Sequence, residues 1–371
     1  MQATNGLAYA FRLRTRAIGY ATAIALALTA LALALAPTAR AASAPHTTYL
    51  GLGDSVTFGY SQELFNENFP EENPEAFPGG YVTDYWEALK ANKVGASKWK
   101  QINDGCPGET TDSFIGNGPV GKGLEAGFPG THGEAPCAYK YVNGFRLHNE
   151  YEPGQSQLEN TLQEIARTKA KGHAVQVVSL GIGANDILHR IKQCEKEVAE
   201  GLFEGFGTPA EQLKVCEEAS AGPLFTHVLN NVAGILYTIR NGSSFGGVNY
   251  TGKIVFDGYY DPFGSVFQPG VEVQPGSNLL DLLLNAKARR VVGQFGACYA
   301  DPQRSPANHA LAFNPLTNGE AAAEPERLQK WTNMANTTFA VNGNKAKNGP
   351  DIHPTPEGYQ VLAKNIEAEC P

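Results

Sequence analysis

The 371-residue chain has six cysteines but no Cys-x-x-Cys pair, and eight histidines but no His-x-x-x-His spacing. Zinc sites are read from those spacings, so their absence leaves the cysteines for another use and implies no metal. Positive charge is also scarce. Lys and Arg number 29 against 37 Asp and Glu, a formal net charge of −8. A surface of that sign disfavours nucleic acid and anionic lipid as partners and favours solubility. No internal repeat and no disordered linker divides the sequence. Beyond the N-terminal run, no segment stays apolar long enough to cross a bilayer, so no transmembrane segment is expected in the mature chain.

The N-terminus has the pattern of an export signal. Arg12, Arg14 and Arg16 precede an Ala- and Leu-rich run from about Ala17 to Ala36; Pro37 breaks it, and Ala39-Arg40-Ala41 follows. A basic region, an apolar core and an Ala-x-Ala site describe a secretory signal peptide, with an uncleaved anchor as the rival. The leader lacks a twin arginine, which points to general secretion. Residues 1–41 are therefore expected to be removed, leaving 42–371 as one large, extracellular domain. The leader takes four arginines and no acid with it, so the mature charge moves from −8 to −12. In an exported chain, Cys106, Cys137, Cys194, Cys216, Cys298 and Cys370 imply three disulfides among fifteen possible connectivities. Pairing of sequence neighbours is expected: Cys106–Cys137, Cys194–Cys216 and Cys298–Cys370.

Apolar strands at Tyr49–Gly53, Lys98–Ile102, Ala174–Ile182 and Lys253–Gly258 alternate with helical patterns. The helices fall at Tyr81–Leu89, Ser156–Lys171, Asp186–Glu200, Pro209–Ala219, Phe225–Arg240, Asn278–Val292, Ala323–Ala340 (with a short strand as the alternative for its end) and Pro356–Glu369. Ala174–Ile182, apolar on both faces, suits a central parallel position. The alternation predicts an α/β fold with a doubly wound parallel sheet. Ser113–Asn149, rich in Gly and Pro, reads as a long excursion stapled by Cys106–Cys137.

Four stretches carry polar groups where such a sheet places chemistry. Gly53-Asp54-Ser55 ends the first strand and offers a hydroxyl. In Gly105-Cys106-Pro107-Gly108-Glu109-Thr110-Thr111, Gly108 leaves a backbone N–H unobstructed, although the stretch also reads as a helix entry capped by a threonine. In Gly181-Ile182-Gly183-Ala184-Asn185-Asp186, Asn185 offers an amide, although asparagine is equally a helix cap. Asp351-Ile352-His353-Pro354 supplies an imidazole and a carboxylate on a proline-stiffened loop. A decoy, Gly242-Ser243-Ser244-Phe245-Gly246, matches a nucleophile elbow. That elbow needs a strand before it and a helix after it, and here the order is reversed, which sets Ser244 aside.

These four blocks in this order resemble the SGNH, or GDSL-type, hydrolases. The resemblance covers nearly all of the mature chain at motif depth, without the insertions. It implies a flavodoxin-like three-layer α/β/α fold with a central parallel sheet and disulfide-stapled insertions. It further implies Ser55 as nucleophile, His353 as general base and Asp351 as its orienting acid. The oxyanion hole would comprise the Ser55 N–H, the Gly108 N–H and the Asn185 amide. Two departures stand out. Val56 replaces the family's leucine, and Pro350 occupies the position three before the histidine where the family carries its acid. Asp351 is two before; in an extended loop it points the same way as His353, and the alternative is a dyad with a carbonyl orienting the ring. The expected activity is a secreted serine esterase or lipase acting on small-molecule or lipid esters without cofactor. A polysaccharide O-acetyl esterase and a non-catalytic exported binding protein are the alternatives. Phe114, Ile115, Phe128, Leu202, Phe203 and Phe206 are candidates for an acyl pocket or for packing within the insertions. Oligomeric state leaves no mark in the sequence.

Overall fold

From Thr48 onward every residue of the first strand, β1 (Thr47–Gly53), is buried, which places it inside a sheet rather than at an edge. The computed structural model describes residues 46–68, 73–92, 99–116, 146–150, 152, 155–262, 277–314, 324–335, 339–341, 344–346 and 351–371. In it β1 lies between β2 (Trp99–Asn103) and β3 (Ala174–Gly181), and β4 (Lys253–Asp257) and β5 (Cys298–Ala300) continue the sheet beyond β3. Every pairing in the 2-1-3-4-5 order is parallel. This is the flavodoxin-like order, in which the strand sequence reverses between β1 and β3 and opens a crevice outside the carboxyl ends. Pairing runs to Gly51–Asn103 on one side of β1 and to Gly53–Gly181 on the other, so three strand ends finish together there.

Helices follow in chain order. The first four are α1 (Ser55–Phe58), α2 (Gln62–Asn68), α3 (Gly80–Ala91) and α4 (Thr111–Ile115). Then come α5 (Gln157–Ala170), α6 (Ala184–Ala199), α7 (Pro209–Arg240), α8 (Ser277–Gly293), α9 (Glu324–Trp331) and α10 (Pro356–Glu369). Because successive strand residues face opposite sides, the sheet has two apolar faces to cover. Leu50, Leu52, Val178, Leu180, Ile254 and Phe256 pack with Leu158 and Ile165 of α5, Val228 and Val232 of α7, and Leu284 of α8. On the other face Tyr49, Val177 and Val255 pack with Tyr81 and Tyr85 of α3, Leu328 of α9, and Tyr359 and Leu362 of α10. Each fully buried aliphatic or aromatic side chain contributes roughly 1.5–3 kcal/mol. The result is the expected three-layer α/β/α arrangement. A short antiparallel pair, β6 (Phe339–Val341) and β7 (Asn344–Ala346), stands apart from the sheet.

Two of the expected disulfides are formed: Cys194–Cys216 clips α6 to α7, and Cys298–Cys370 ties β5 to the chain end. Closing loops of 22 and 72 residues restricts the unfolded chain by about 3–4 kcal/mol each. Cys106 is disulfide-bonded; Cys137, its expected partner, lies outside the described residues, as do Phe128 and the leader. No helix among the described residues is long and apolar enough to cross a membrane.

Three expectations need correction. The helices expected at Pro209–Ala219 and Phe225–Arg240 are one helix, running through Pro223. A proline removes one backbone hydrogen bond and costs about 3 kcal/mol; burial of Phe225, Val228, Leu229 and Val232 on the same helix offsets it. The helix expected at Ala323–Ala340 stops at Trp331, whose carbonyl accepts the Thr355 N–H at 2.9 Å while Thr332 bridges Pro354. Finally β5 was not foreseen, because at three residues it is too short to show a period.

Candidate functional site

β1 ends at Gly53 with φ +141°, where a Cβ would stand 2.0 Å from the Gly181 carbonyl oxygen. Only glycine fits so close to β3 in a backbone region disfavoured for L side chains. The chain then turns. Asp54 caps α1 by accepting the Val56 N–H at 2.9 Å, and Ser55 becomes the first helical residue. Burial pushes the Asp54 carboxyl up to about 7, against the pull of the Val56 N–H and the His353 charge. Ser55 is 9% exposed and lies at the β1/β3 switch point.

From the other end of the chain, the loop before α10 reaches the same place. His353 Nε2 lies 2.8 Å from Ser55 Oγ, and His353 Nδ1 lies 2.5 Å from Asp351 Oδ1. The two-residue spacing therefore suffices. Asp351 also receives the His353 backbone N–H at 3.1 Å, so an extended loop turns carboxylate and ring to the same side. Its second oxygen accepts the Gln62 N–H at 3.0 Å. Burial alone would raise this carboxyl, but the His353 charge and these hydrogen bonds outweigh it and hold it below the ordinary value. The loop is fixed through its backbone. Tyr260 donates to the Ile352 carbonyl at 2.8 Å, and the Asn333 N–H donates to the His353 carbonyl at 2.9 Å. The Tyr60 ring stands 4.8 Å from the imidazole.

The second and third blocks meet beside the serine. The Cys106 N–H donates to the Gly53 carbonyl at 3.0 Å, laying the Cys106–Glu109 turn over the end of β1. Gly108 adopts φ +84° in that turn. Asn185 is not a cap: Gly183 precedes α6 as its cap, and the Asn185 amide donates to the Glu109 carbonyl at 2.9 Å. One amide hydrogen is thus committed and one remains. Among the described residues, neither the Ser55 N–H nor the Gly108 N–H has an acceptor. The capping role belongs to Thr110, which forms a reciprocal box with Ser113 at the start of α4. The Thr111 N–H and hydroxyl donate to Asp186 at 2.9 and 2.6 Å.

Other candidates disperse. Ser244 lies exposed in a 3-10 turn after α7. Phe114 is fully buried in the core under α5 and α7, and Ile115 packs against it. Leu202 and Phe206 are 66% and 57% exposed in the turn between α6 and α7, Phe203 stacking edge-on to Phe206. Among the described residues of this set no acyl pocket forms, because the helical hairpin carries its apolar tip away from the start of α6, where Asn185 lies. Asp112, Asp186 and His227 bring three possible ligand atoms within 4.8 Å of one another. Asp186 is held by Thr111, and Asp112 by Asn231 and His227 at 2.8 Å each, so hydrogen bonding alone accounts for the group.

Sequence reasoning missed Gln62, which acts through its backbone and so leaves no trace in residue type. It also missed Gln157, whose side chain grips both backbone groups of Gly53 at 2.6 and 3.0 Å. Its burial at the start of an amphipathic helix leaves no mark in the helical periodicity.

No family model and no curated protein matches the sequence. Solved structures similar to the chain include an extracellular lipase from Streptomyces rimosus, 13% identical with TM-score 0.46, covering 87% of this chain and 99% of that one. A phospholipase A1 from Streptomyces albidoflavus is 14% identical with TM-score 0.44, over 87% and 99% of the two chains. A catalytic mutant of an acetylxylan esterase from Geobacillus stearothermophilus is 14% identical with TM-score 0.37, over 87% and 93%. At these values the likeness carries no weight for activity, and the chemistry has to come from the residues themselves.

Proposed function

We propose that the chain is a secreted serine hydrolase of carboxylic esters, with Ser55 as nucleophile. The observation that carries this is the unbroken line from Ser55 Oγ through the His353 ring to Asp351, at 2.8 and 2.5 Å. A serine hydroxyl is a poor nucleophile until a base within hydrogen-bond reach takes its proton. His353 takes it at Nε2 as Oγ attacks the acyl carbon, and Asp351 holds the tautomer and stabilises the imidazolium. The oxyanion forms facing the Ser55 and Gly108 N–H groups and the remaining amide hydrogen of Asn185. Collapse expels the alcohol, which receives its proton from His353. Water, activated by the same ring, then releases the acid from the Ser55 ester. Asp351, held below the ordinary carboxylate value, stays charged throughout the neutral range.

Export is supported by the basic and apolar leader with its Ala39-Arg40-Ala41 site and by the disulfides, which persist in oxidising compartments. Lipid or simple acyl esters are the proposed substrates. The test is labelling by a fluorophosphonate, combined with hydrolysis of p-nitrophenyl esters of increasing chain length. Label is expected on Ser55 and hydrolysis is expected to vanish in Ser55→Ala; an unlabelled wild-type chain would favour a non-catalytic binding protein.

A further inference from the structure

Ser55, Gly108 and Asn185 follow three different strands, so their donors face one point only if those strand ends keep register. The sheet's own pairing stops at Gly51–Asn103 and Gly53–Gly181, short of all three residues. Backbone bonds carry the connection one step further, from the Asp54 N–H to the Gly181 carbonyl at 3.1 Å and from the Cys106 N–H to the Gly53 carbonyl at 3.0 Å. One side chain adds a cross-link among them. Gln157, the first residue of α5, is fully buried. Its Oε1 accepts the Gly53 N–H at 2.6 Å, and its Nε2 donates to the Gly53 carbonyl at 3.0 Å and to Glu109 Oε2 at 3.2 Å. Both amide hydrogens are then used. Glu109, also fully buried, follows Gly108; its N–H donates to the Cys106 carbonyl at 3.1 Å and its own carbonyl accepts the Asn185 amide at 2.9 Å.

A single buried strut thus runs from the residue two before Ser55, through Gln157 and Glu109, to the amide of Asn185. The geometry points to Gln157 and Glu109 as positioning residues that set the spacing of the three oxyanion donors; this inference rests on the esterase reading. Glu109 fills the role as a neutral acid. Burial, together with the charges of Asp54 and Asp186, holds its carboxyl well above the ordinary value, and the Gln157 amide opposes this only in part. Ser113 Oγ lies near enough to oppose it as well, but it donates to the Thr110 carbonyl at 3.2 Å, and Glu109 Oε1 has no partner among the described residues. An amide of the same shape should therefore replace the acid.

A strut acting through the hole affects the transition state and leaves ground-state binding alone. In Gln157→Leu, kcat on p-nitrophenyl butyrate should fall about 30-fold with KM within about twofold, and an alkylboronic acid that mimics the tetrahedral adduct should weaken by a similar factor. Adding Gln157→Leu to an Asn185→Ala background should cost less than about threefold more, because both changes disable one device. Glu109→Leu should share the kcat defect, and Glu109→Gln should restore most of it. The inference is overturned if kcat is unchanged in Gln157→Leu, if its effect multiplies fully with that of Asn185→Ala, or if Glu109→Gln is as impaired as Glu109→Leu. Should Gln157→Leu fail to fold, the Glu109 pair decides alone. A wild-type chain that neither labels at Ser55 nor turns over esters overturns the esterase reading first, and is distinguishable from an active wild type with indifferent variants.

Discussion

The two halves of the site are built by different means. The serine half stands on the sheet: Gly53, Gly108 and Asn185 belong to strand ends held in register by parallel pairing and by the buried Gln157 and Glu109 side chains. The histidine half is a loop, with Asp351 and His353 fixed by the backbone N–H groups of Gln62 and Asn333 and by the Tyr260 hydroxyl. A sheet edge tolerates little change in spacing, because a one-residue slip turns every side chain to the other face. A loop tied by its backbone tolerates more, and here an acid two residues before the histidine reaches Nδ1 at 2.5 Å.

The comparison breaks most directly if the halves can work apart. Ser55→Ala and His353→Ala should each lower kcat by on the order of 10⁶, and the double variant should be no worse than either, since the residues act as one unit. Additive losses in the double variant would mean that serine and histidine serve separate reactions. Within each half the supporting group matters less. Asp351→Asn should cost on the order of 10⁴ in kcat, and a loss below about tenfold would leave a dyad. Asn185→Ala should cost about 10²–10³, roughly 3 kcal/mol, and unchanged turnover in steady-state assays would remove it from the oxyanion hole.

Legibility followed the same division. The serine half was readable because glycines mark strand ends: Gly53 admits no side chain against Gly181, and a short apolar run leads into it. The histidine half was readable in its residues, Asp351 and His353, but their two-residue spacing did not say whether the carboxylate reaches Nδ1, a contact the loop makes at 2.5 Å. Gln157 went unread because helical periodicity reports apolar faces and is silent about a polar side chain buried at a helix start. β5, with three residues, and the unbroken run of α7 through Pro223 escaped for the opposite reason: tertiary packing decided both where local pattern was too short or pointed the other way.

Acids in the two halves also respond to pH in opposite senses. Asp104, at the end of β2, is fully buried and bonded to the neutral amides of Asn149 and Asn160 at 2.5 and 2.9 Å. Burial pushes it from 3.8 up to about 7. The folded chain then holds a proton that the unfolded chain has released, so its contribution is full below about pH 4 and is lost as pH rises towards 7. Asp351 is shifted down, so its contribution is present above the unfolded value of 3.8 and is lost as pH falls through its folded value. In denaturant titrations, Asp104→Asn should gain about 2 kcal/mol relative to wild type between pH 5 and 7.5. A constant gap across that range would show the carboxyl already charged in the fold.

The smallest effect is expected where the loop has redundant ties. The Tyr260 hydroxyl donates to the carbonyl of Ile352, the residue between Asp351 and His353, while its ring stacks on Phe313 at 4.7 Å. Tyr260→Phe keeps that stacking and deletes one hydrogen bond, a loss of about 1 kcal/mol. The Asn333 and Thr355 N–H bonds remain and keep the backbone near its place. Turnover should therefore fall about fivefold or less, with no change in the pH dependence of kcat, because the Asp351–His353 contact itself is untouched. A loss approaching that of Asp351→Asn would mean that the hydroxyl, rather than the backbone ladder, aims the imidazole, and the histidine half would then depend on a side chain as the serine half does.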